Sequence, residues 1–549
     1  MKSRLTLIPS LFALVLSAQT AVAQNCDCPP LNERPMVTIT DAGSGIGTDT
    51  WTCDNTYLLD GYVFIASGQS LTIEAGTVVK GMEGSGSDAA ALIVSRGGQI
   101  FADGNETCPI TFTFEADELD GSVAYSTRGQ WGGLIVCGNA PNNLPTGEGQ
   151  VEGIPSDNDQ AAYGGTDPAD NSGSLTYVSI RHGGTQLGAA NEINGLTLAS
   201  VGNQTTIHHI EVVSNDDDGI EFFGGTVNVR YAAVLFSGDD SFDYDQGWNG
   251  NGQFWFSLND LPLGDRAGEF DGDDSPNVSS DGMPFATPTL LNVTAIGRGA
   301  SAGRTGFLFR AGAGGYFHHS IIEGFETGIE LEDVQEPSDA YDKLQSGLLA
   351  LNKVIISGAE TVIHYDGAET DGQSILDTYA TEHGVIAGTP GMDGLFSFDN
   401  SGVQVVDCLD PRPSEDVSID TTEFPFDAWF QTAGYHGAFE GDSNWLNRPW
   451  SYAYQVGLFD CGTSSTPEAT ELEELVFPNP FTSILNITWN DEAPCALQLV
   501  DLSGRLAWEG VAQSGVNTII IESSVPAGIY ILSAQNAQSS WRQTLIKTQ

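Results

Sequence analysis

The residues with the greatest chemical capacity in this 549-residue chain are a run of acids: Asp216, Asp217, Asp218 and Glu221, then Asp239, Asp240, Asp243 and Asp245. The phrase Asp217-Asp218-Gly219-Ile220-Glu221-Phe222 returns 22 residues later as Asp239-Asp240-Ser241-Phe242-Asp243-Tyr244. If each phrase occupies one level of a stacked structure, Asp217 lies over Asp239 and Asp218 over Asp240 at about 4.8 Å. Carboxylates so close repel, and a hard cation, protonation or an arginine must offset them. Ca²⁺ takes roughly 6–8 oxygen ligands, so one expectation is a structural calcium site built from Asp217, Asp218, Asp239, Asp240, Asp243 and Asp245. A second is that these Asp residues cap turns by accepting from backbone N–H groups. A third is acid–base work on a glycosidic bond, with Asp217, Asp218, Asp239 and Asp240 as candidates and Arg181 and His182 beside them.

Other motifs carry less. Asp271-Gly272-Asp273-Asp274 lacks calcium-loop spacing. His208-His209 and His318-His319 are adjacent pairs, and on a strand adjacent side chains face opposite ways, so neither pair is expected to chelate one metal. Trp248, Phe254, Trp255 and Phe256 suit either core filling or sugar binding. No Ser/His/Asp or Cys/His set has recognisable spacing, and Ala311-Gly312-Ala313-Gly314-Gly315 precedes no helix that would cradle a phosphate. No organic cofactor is expected.

The elements that must position the acids repeat. Ile207, Val212 and Val213 align with Val229, Val234 and Leu235, and Thr305-Gly306-Phe307 with Thr327-Gly328-Ile329, both at an offset of 22. Ile321-Ile322-Glu323-Gly324 matches Ile355-Ile356-Ser357-Gly358 at 34, as if one turn carried an insertion. Units of this length, with short strands, Gly or Asp corners and no helical periodicity, fit the coils of a parallel β-helix, whereas a propeller blade needs about 40 residues. About 380 residues would give on the order of 16 coils. The expected fold is all-β: a right-handed parallel β-helix followed by a small antiparallel β-sandwich. Its expected divisions are a leader at 1–23, an N-terminal cap at 24–55, the β-helix at 56–461 closed by an aromatic cap over Trp429 to Trp450, a linker at 462–474 and a terminal domain at 475–549.

Charge excludes some partners. With 73 acids against 19 Lys and Arg the net charge is −54, which argues against nucleic acid and bare anionic membranes. The acids come in ones, twos and threes, and 40% of residues are hydrophobic, as in a folded domain and not a disordered tail. Eight cysteines suit an oxidising compartment. The expected pairings, each local or at a domain end, are Cys28–Cys53, Cys108–Cys137 and Cys408–Cys461.

The termini read as addresses. Lys2 and Arg4 before the apolar run Leu5 to Leu16, with Ala21-Val22-Ala23 as a cleavage site, form a secretory signal, too short for a membrane span. No other apolar run reaches transmembrane length. At the far end, Phe477-Pro478-Asn479-Pro480-Phe481, Leu485-Asn486-Ile487, Leu499-Val500-Asp501-Leu502-Ser503-Gly504-Arg505 and Pro526-Ala527-Gly528-Ile529-Tyr530 resemble the type A C-terminal sorting domain of Bacteroidota type IX secretion cargo. The resemblance implies that residues 475–549 engage the secretion machinery and are then removed, leaving the protein released or anchored at the surface of a Gram-negative cell. Ile73-Glu74-Ala75-Gly76-Thr77, Trp131-Gly132-Gly133-Leu134, Asn215-Asp216-Asp217-Asp218-Gly219-Ile220-Glu221-Phe222-Phe223-Gly224-Gly225 and Tyr435-His436-Gly437-Ala438-Phe439 resemble secreted Bacteroidota β-helix proteins of unestablished role. The expected function is a binding or structural surface protein, adhesin-like or glycan-binding. The alternative is a polysaccharide hydrolase or lyase. Polygalacturonase-type β-helix enzymes use an Asp-Asp pair, a third Asp, a Gly-His-Gly and a basic clamp; Asp239-Asp240 and His182-Gly183 echo these, but the clamp and the Gly before the His are missing. In a lyase, Ca²⁺ would bridge uronate carboxylates beside a basic residue such as Arg181, Arg230 or Arg310.

Overall fold

A computed structural model describes residues 26–459 except 153, 155–158, 189–190, 260–262, 273–281, 335–338, 393–396, 399–403, 406–408 and 422–426. It also describes 476–548 except 478–480, 490–494, 502–504, 514, 522–524 and 536–539. The leader, the linker, Asp273, Asp274 and the Cys408–Cys461 pairing lie outside the described residues. The chain divides into two units, one ending at Cys461 and one beginning at Gly462.

Stacking in the first unit follows the repeat. Val212 pairs with Val234 and Ile207 with Val229 in parallel register; Thr305 pairs with Thr327 and Phe307 with Ile329; Ile321 pairs with Ile355. The insertion in that last coil carries the short helix Ala340–Ser346, capped by Asp339. Coils stack into a 15-stranded sheet and a 10-stranded sheet, whose inner residues, among them Val212, Val234, Phe222 and Phe242, form one continuous core. The 15-stranded sheet has 12 strands along its main path, fewer than the coil count expected from a uniform 22-residue repeat. Insertions explain this: Ile110 pairs with Val178 and Trp255 with Val293, both far beyond 22 residues.

Both expected caps fall differently. Met36–Thr40 pairs with Thr56–Asp60, so the parallel sheet already begins inside the segment expected to be a separate cap. At the other end, helix Gly372–His383 packs on strands Leu349–Ser357, Thr361–Gly367 and Val385–Ala387, burying Leu376 and Ala380 one turn apart. The aromatic run lies instead along the side of the rod. Ala438, Phe439, Leu446, Trp450, Tyr452 and Phe459 form a second core with the outward side chains Val213, Leu235, Phe256 and Ile296. This strap covers apolar side chains that alternation places outside the coil, and burying them favours its lateral path.

The long strands of the 15-stranded sheet are bent. Tyr177, His209, Tyr231, Phe254, Asn292, His319 and Lys353 all have φ between +51° and +59°, one per level in register. A left-handed L-residue costs roughly 1–2 kcal/mol, and the ring stacks Tyr177–His209 (4.3 Å), His209–Tyr231 (4.4 Å) and Tyr231–Phe254 (4.9 Å) act against that cost.

Cys28–Cys53 is bonded. Cys108 bonds Cys26, not Cys137; Cys137 is a buried free thiol on a strand of the 10-stranded sheet, whereas Cys108 lies in the turn between strands Gln99–Asp103 and Ile110–Phe114 of the other sheet. The second unit holds a three-stranded and a four-stranded sheet, both antiparallel, sharing a core that includes Leu485, Ile487, Leu497, Leu499 and Leu532. No helix among the described residues is long and apolar enough to cross a membrane.

Candidate cation site

Strands Ile220–Phe223, Phe242–Asp245 and Gly268–Asp271 are consecutive in the 10-stranded sheet, in the register Glu221–Asp243–Glu269 and Phe222–Tyr244–Phe270. Phe222, Tyr244 and Phe270 turn inward and stack, Phe222 on Trp248 at 4.1 Å and Tyr244 on Phe270 at 4.6 Å. The two-residue period then puts Glu221, Asp243 and Glu269 in one file on the outer face. The turn before each strand adds acids. Asp218 Oδ1 accepts from the Asp240 backbone N–H at 2.9 Å, and Asp240 Oδ1 accepts from that of Arg266 at 2.6 Å. Turn capping therefore accounts for one oxygen of each.

Three sets bring their oxygens within 4.8 Å of one another: Asp217/Asp218/Asp239, Asp218/Glu221/Asp243 and Asp239/Asp240/Asp265. Asp245, two residues along the strand from Asp243, belongs to none of them. Asp265 was not anticipated, because its coil is 26 residues long and breaks the 22-residue register that exposed Asp217 and Asp239.

Arginines divide the face. Arg266 lies 2.6 Å from Asp265, 2.9 Å from Glu269 and 3.8 Å from Asp240. Arg304 lies 2.8 Å from Asp265. Arg310 grips Asp271 at 2.8 and 3.0 Å and stands 3.5 Å from Glu269. Asp218, Glu221 and Asp243 have no ion pair among the described residues. Glu221 accepts from Asn194, and Asp243 Oδ1 is buried without a hydrogen-bond partner. Burial, followed by the neighbouring carboxylates, pushes all three well above the usual carboxylate range: Asp217 and Asp240 act on Asp218, Asp217 and Asp245 on Glu221, and Glu221 and Asp218 on Asp243. Burial also raises Asp240, with Arg266 opposing.

Arg181 and His182 do not join this face. Arg181 ends a strand of the other sheet and is 4% exposed. It donates to Ser179 Oγ at 2.7 Å and Gln455 Oε1 at 2.8 Å, and lies 3.8 Å from Glu211. His182 Nδ1 is 2.8 Å from the Thr127 carbonyl oxygen. Both line a small cavity with Asp117 and Tyr452, and their partners are residues of the same sheet, the strap and a loop. Trp248, Phe254, Trp255 and Phe256 are all at most 3% exposed, which rules out sugar stacking on them. The histidine pairs correct a simple reading of alternation: His208 and His209 bring their Nδ1 atoms within 3.0 Å, because the left-handed turn at His209 rotates its side chain toward its neighbour's. No described histidine joins a metal-ligand group.

Comparison with known proteins gives two family matches. Residues 45–391 match a pectate-lyase-like β-helix domain, and residues 475–548 match a secretion-system C-terminal sorting domain. No curated protein and no solved structure matches.

Proposed function

Because the chain belongs to the pectate-lyase-like β-helix family and is type IX secretion cargo with a C-terminal sorting domain, exported from a Bacteroidota cell, we propose that it is a non-enzymatic binding or structural protein of the cell surface whose acidic face holds Ca²⁺. Asp218, Glu221 and Asp243 would be the ligands. One observation carries this reading. The three carboxylates converge within 4.8 Å with no arginine, while their neighbours Asp240, Asp265, Glu269 and Asp271 each have one. An all-oxygen set of this charge suits a hard divalent cation. The finer architecture belongs to the same proposal: a right-handed coil, since parallel crossovers are right-handed almost without exception; a sandwich tail at 475–549, removed on export; a linker at 462–474; and a leader at 1–23.

The second reading is a polysaccharide hydrolase or lyase. In its favour, Asp218 and Asp240 are held toward the protonated form beside other acids, as a general acid requires, and Arg266 is at hand. One experiment separates the two. The purified passenger is titrated with Ca²⁺ in a calorimeter and followed by thermal unfolding with and without chelator, while a polysaccharide panel is assayed for reducing ends and unsaturated products. Calcium binding with a raised melting temperature and no cleavage supports the proposal. An unchanged melting temperature removes the calcium site, and cleavage abolished in Asp240→Asn establishes the enzyme.

A further inference from the structure

A cavity of about 280 Å³ lies between the rod and the strap, lined by Tyr231 and Phe254 from the sheet and by Gln431, Tyr435, Glu440 and Trp445 from the strap, with Ser443 at its edge. It is remote in register from the carboxylate file, since Tyr231 and Phe254 belong to the other sheet. Its strap wall is pinned from below. The fully buried Gln253 exchanges two hydrogen bonds with the Gln431 backbone, at 2.7 and 2.8 Å. Asn292 donates to the Tyr435 carbonyl at 2.8 Å. Buried side chains committed to holding two loop positions give the cavity a preformed shape, which lowers the cost of ordering it on binding.

Its polar groups are incompletely used. Tyr231 Oη donates to Gln431 Oε1 at 2.8 Å. The Gln431 Nε2 hydrogens, the Tyr435 hydroxyl, the Glu440 carboxylate and the Ser443 hydroxyl have no partner among the described residues. Donors and acceptors are thus interleaved round an aromatic wall. Tyr231 and Phe254 stack face to face at 4.9 Å, so what they offer the cavity is ring edge, which is the positive part of the ring. A quaternary ammonium needs ring faces, whereas an oxygen-rimmed ring can meet edges and hydroxyls. The volume is at the small end for ligand pockets and admits one sugar ring. Glu440 and the net charge of −54 repel uronates and sulfated sugars.

We propose that this cavity binds a single neutral pyranose, the terminal residue of a glycan, at the junction of rod and strap. The inference rests on the binding reading above but not on its cation. It is tested on the exported protein in EDTA by saturation-transfer difference NMR. The probes are methyl glycosides of glucose, galactose, mannose and N-acetylglucosamine, with galacturonate and tetramethylammonium as contrasts. At least one neutral glycoside should show saturable transfer, and the two charged probes none. Its affinity should fall at least tenfold in Glu440→Ala and in Gln431→Ala, both exposed positions whose variants are checked for folding by circular dichroism. Asp60→Asn, an exposed position outside both sites, should leave that affinity unchanged, and because the assay is run in EDTA, failure of the calcium reading would not be confused with failure of this one. Absence of transfer from every neutral glycoside, affinity indifferent to both cavity variants, or preference for tetramethylammonium would each overturn the proposal.

Discussion

Replacing Asp243 by Asn should move stability in opposite directions depending on calcium. Asp243 has oxygen neighbours from Asp218 and Glu221 within 4.8 Å and no cationic partner. Two unit charges at that distance repel by about 3 kcal/mol at an effective dielectric of about 20. Partial protonation of the trio and solvent screening at half-buried groups reduce the relief from one substitution to about 1–3 kcal/mol. In EDTA at pH 7.5, then, Asp243→Asn should be more stable than the parent. In Ca²⁺ at about 100 times the dissociation constant, the parent gains about 2.7 kcal/mol, a gain the variant should lack. The pH dependence has a fixed sign. Asp218, Glu221 and Asp243 have folded-state values raised above their unfolded ones, so between those values the folded chain holds more protons. Stability in EDTA is therefore fully present below about pH 4 and falls as pH rises toward the raised values. General acidic repulsion has the same sign, so the exposed Asp60→Asn variant serves as control: its pH slope should match the parent's, while that of Asp243→Asn should be shallower. The assay is chemical denaturation at pH 4.5–8 with and without Ca²⁺. If Asp243→Asn loses stability in both buffers, or its slope equals that of Asp60→Asn, the electrostatic reasoning is refuted.

Four further outcomes test the architecture. A Cβ at Gly219 would stand 2.3 Å from Val234 and 2.6 Å from the Ser241 carbonyl oxygen, so Gly219→Ala should cost about 1–3 kcal/mol in denaturation midpoint. Non-reducing peptide mapping should recover Cys26–Cys108 and Cys28–Cys53 with Cys137 unmodified; the Cys26–Cys108 link spans 82 residues, and Cys26→Ser should lower stability by up to about 4 kcal/mol. Glu211 is fully buried beside Arg181 and accepts from Ser179 and the Tyr452 N–H; Arg181→Met leaves that carboxylate without a cation, costs about 3–5 kcal/mol and should make the strap around Tyr452 the first site cut in limited proteolysis. Deleting residues 475–549 should leave the passenger inside the cell envelope, as read by mass spectrometry of culture medium and cell fractions.

The parallel stack was legible because its signal is local and repeated. Val212 and Val234, or Thr305 and Thr327, announce their pairing through identical spacing, and even the 34-residue offset reported an insertion that proved to hold a helix. The disulfide Cys26–Cys108 was not legible, since it joins Cys26 to a turn 82 residues on, and no repeat encodes that approach. Nor was the neutralisation of the acidic face. Asp240 reads as the repeat of Asp218, yet Asp240 meets Arg266 from a longer coil and Asp218 has no ion pair among the described residues. Identical motifs thus acquire different ion pairing from the next level of the stack.

The left-handed column explains why the strap and its cavity escaped the pattern. Alternation assumes a continuous strand, and it assigned His208 and His209 to opposite faces. One left-handed residue in each long strand resets the alternation. Tyr177, His209, Tyr231 and Phe254 stack outward as a result, although each sits in a sequence that reads as an unbroken strand. Strain of this kind persists only where the surroundings over-determine it. Here they do: rings above and below, and Trp445 and Trp450 of the strap packed edge-on to His209. The aromatic residues near the C-terminal end of the first unit are therefore neither an end cap nor a spare decoration. They are the cover that the bent strands require, and the place where that cover leaves space, over Tyr231 and Phe254, is where a ligand can reach the rod.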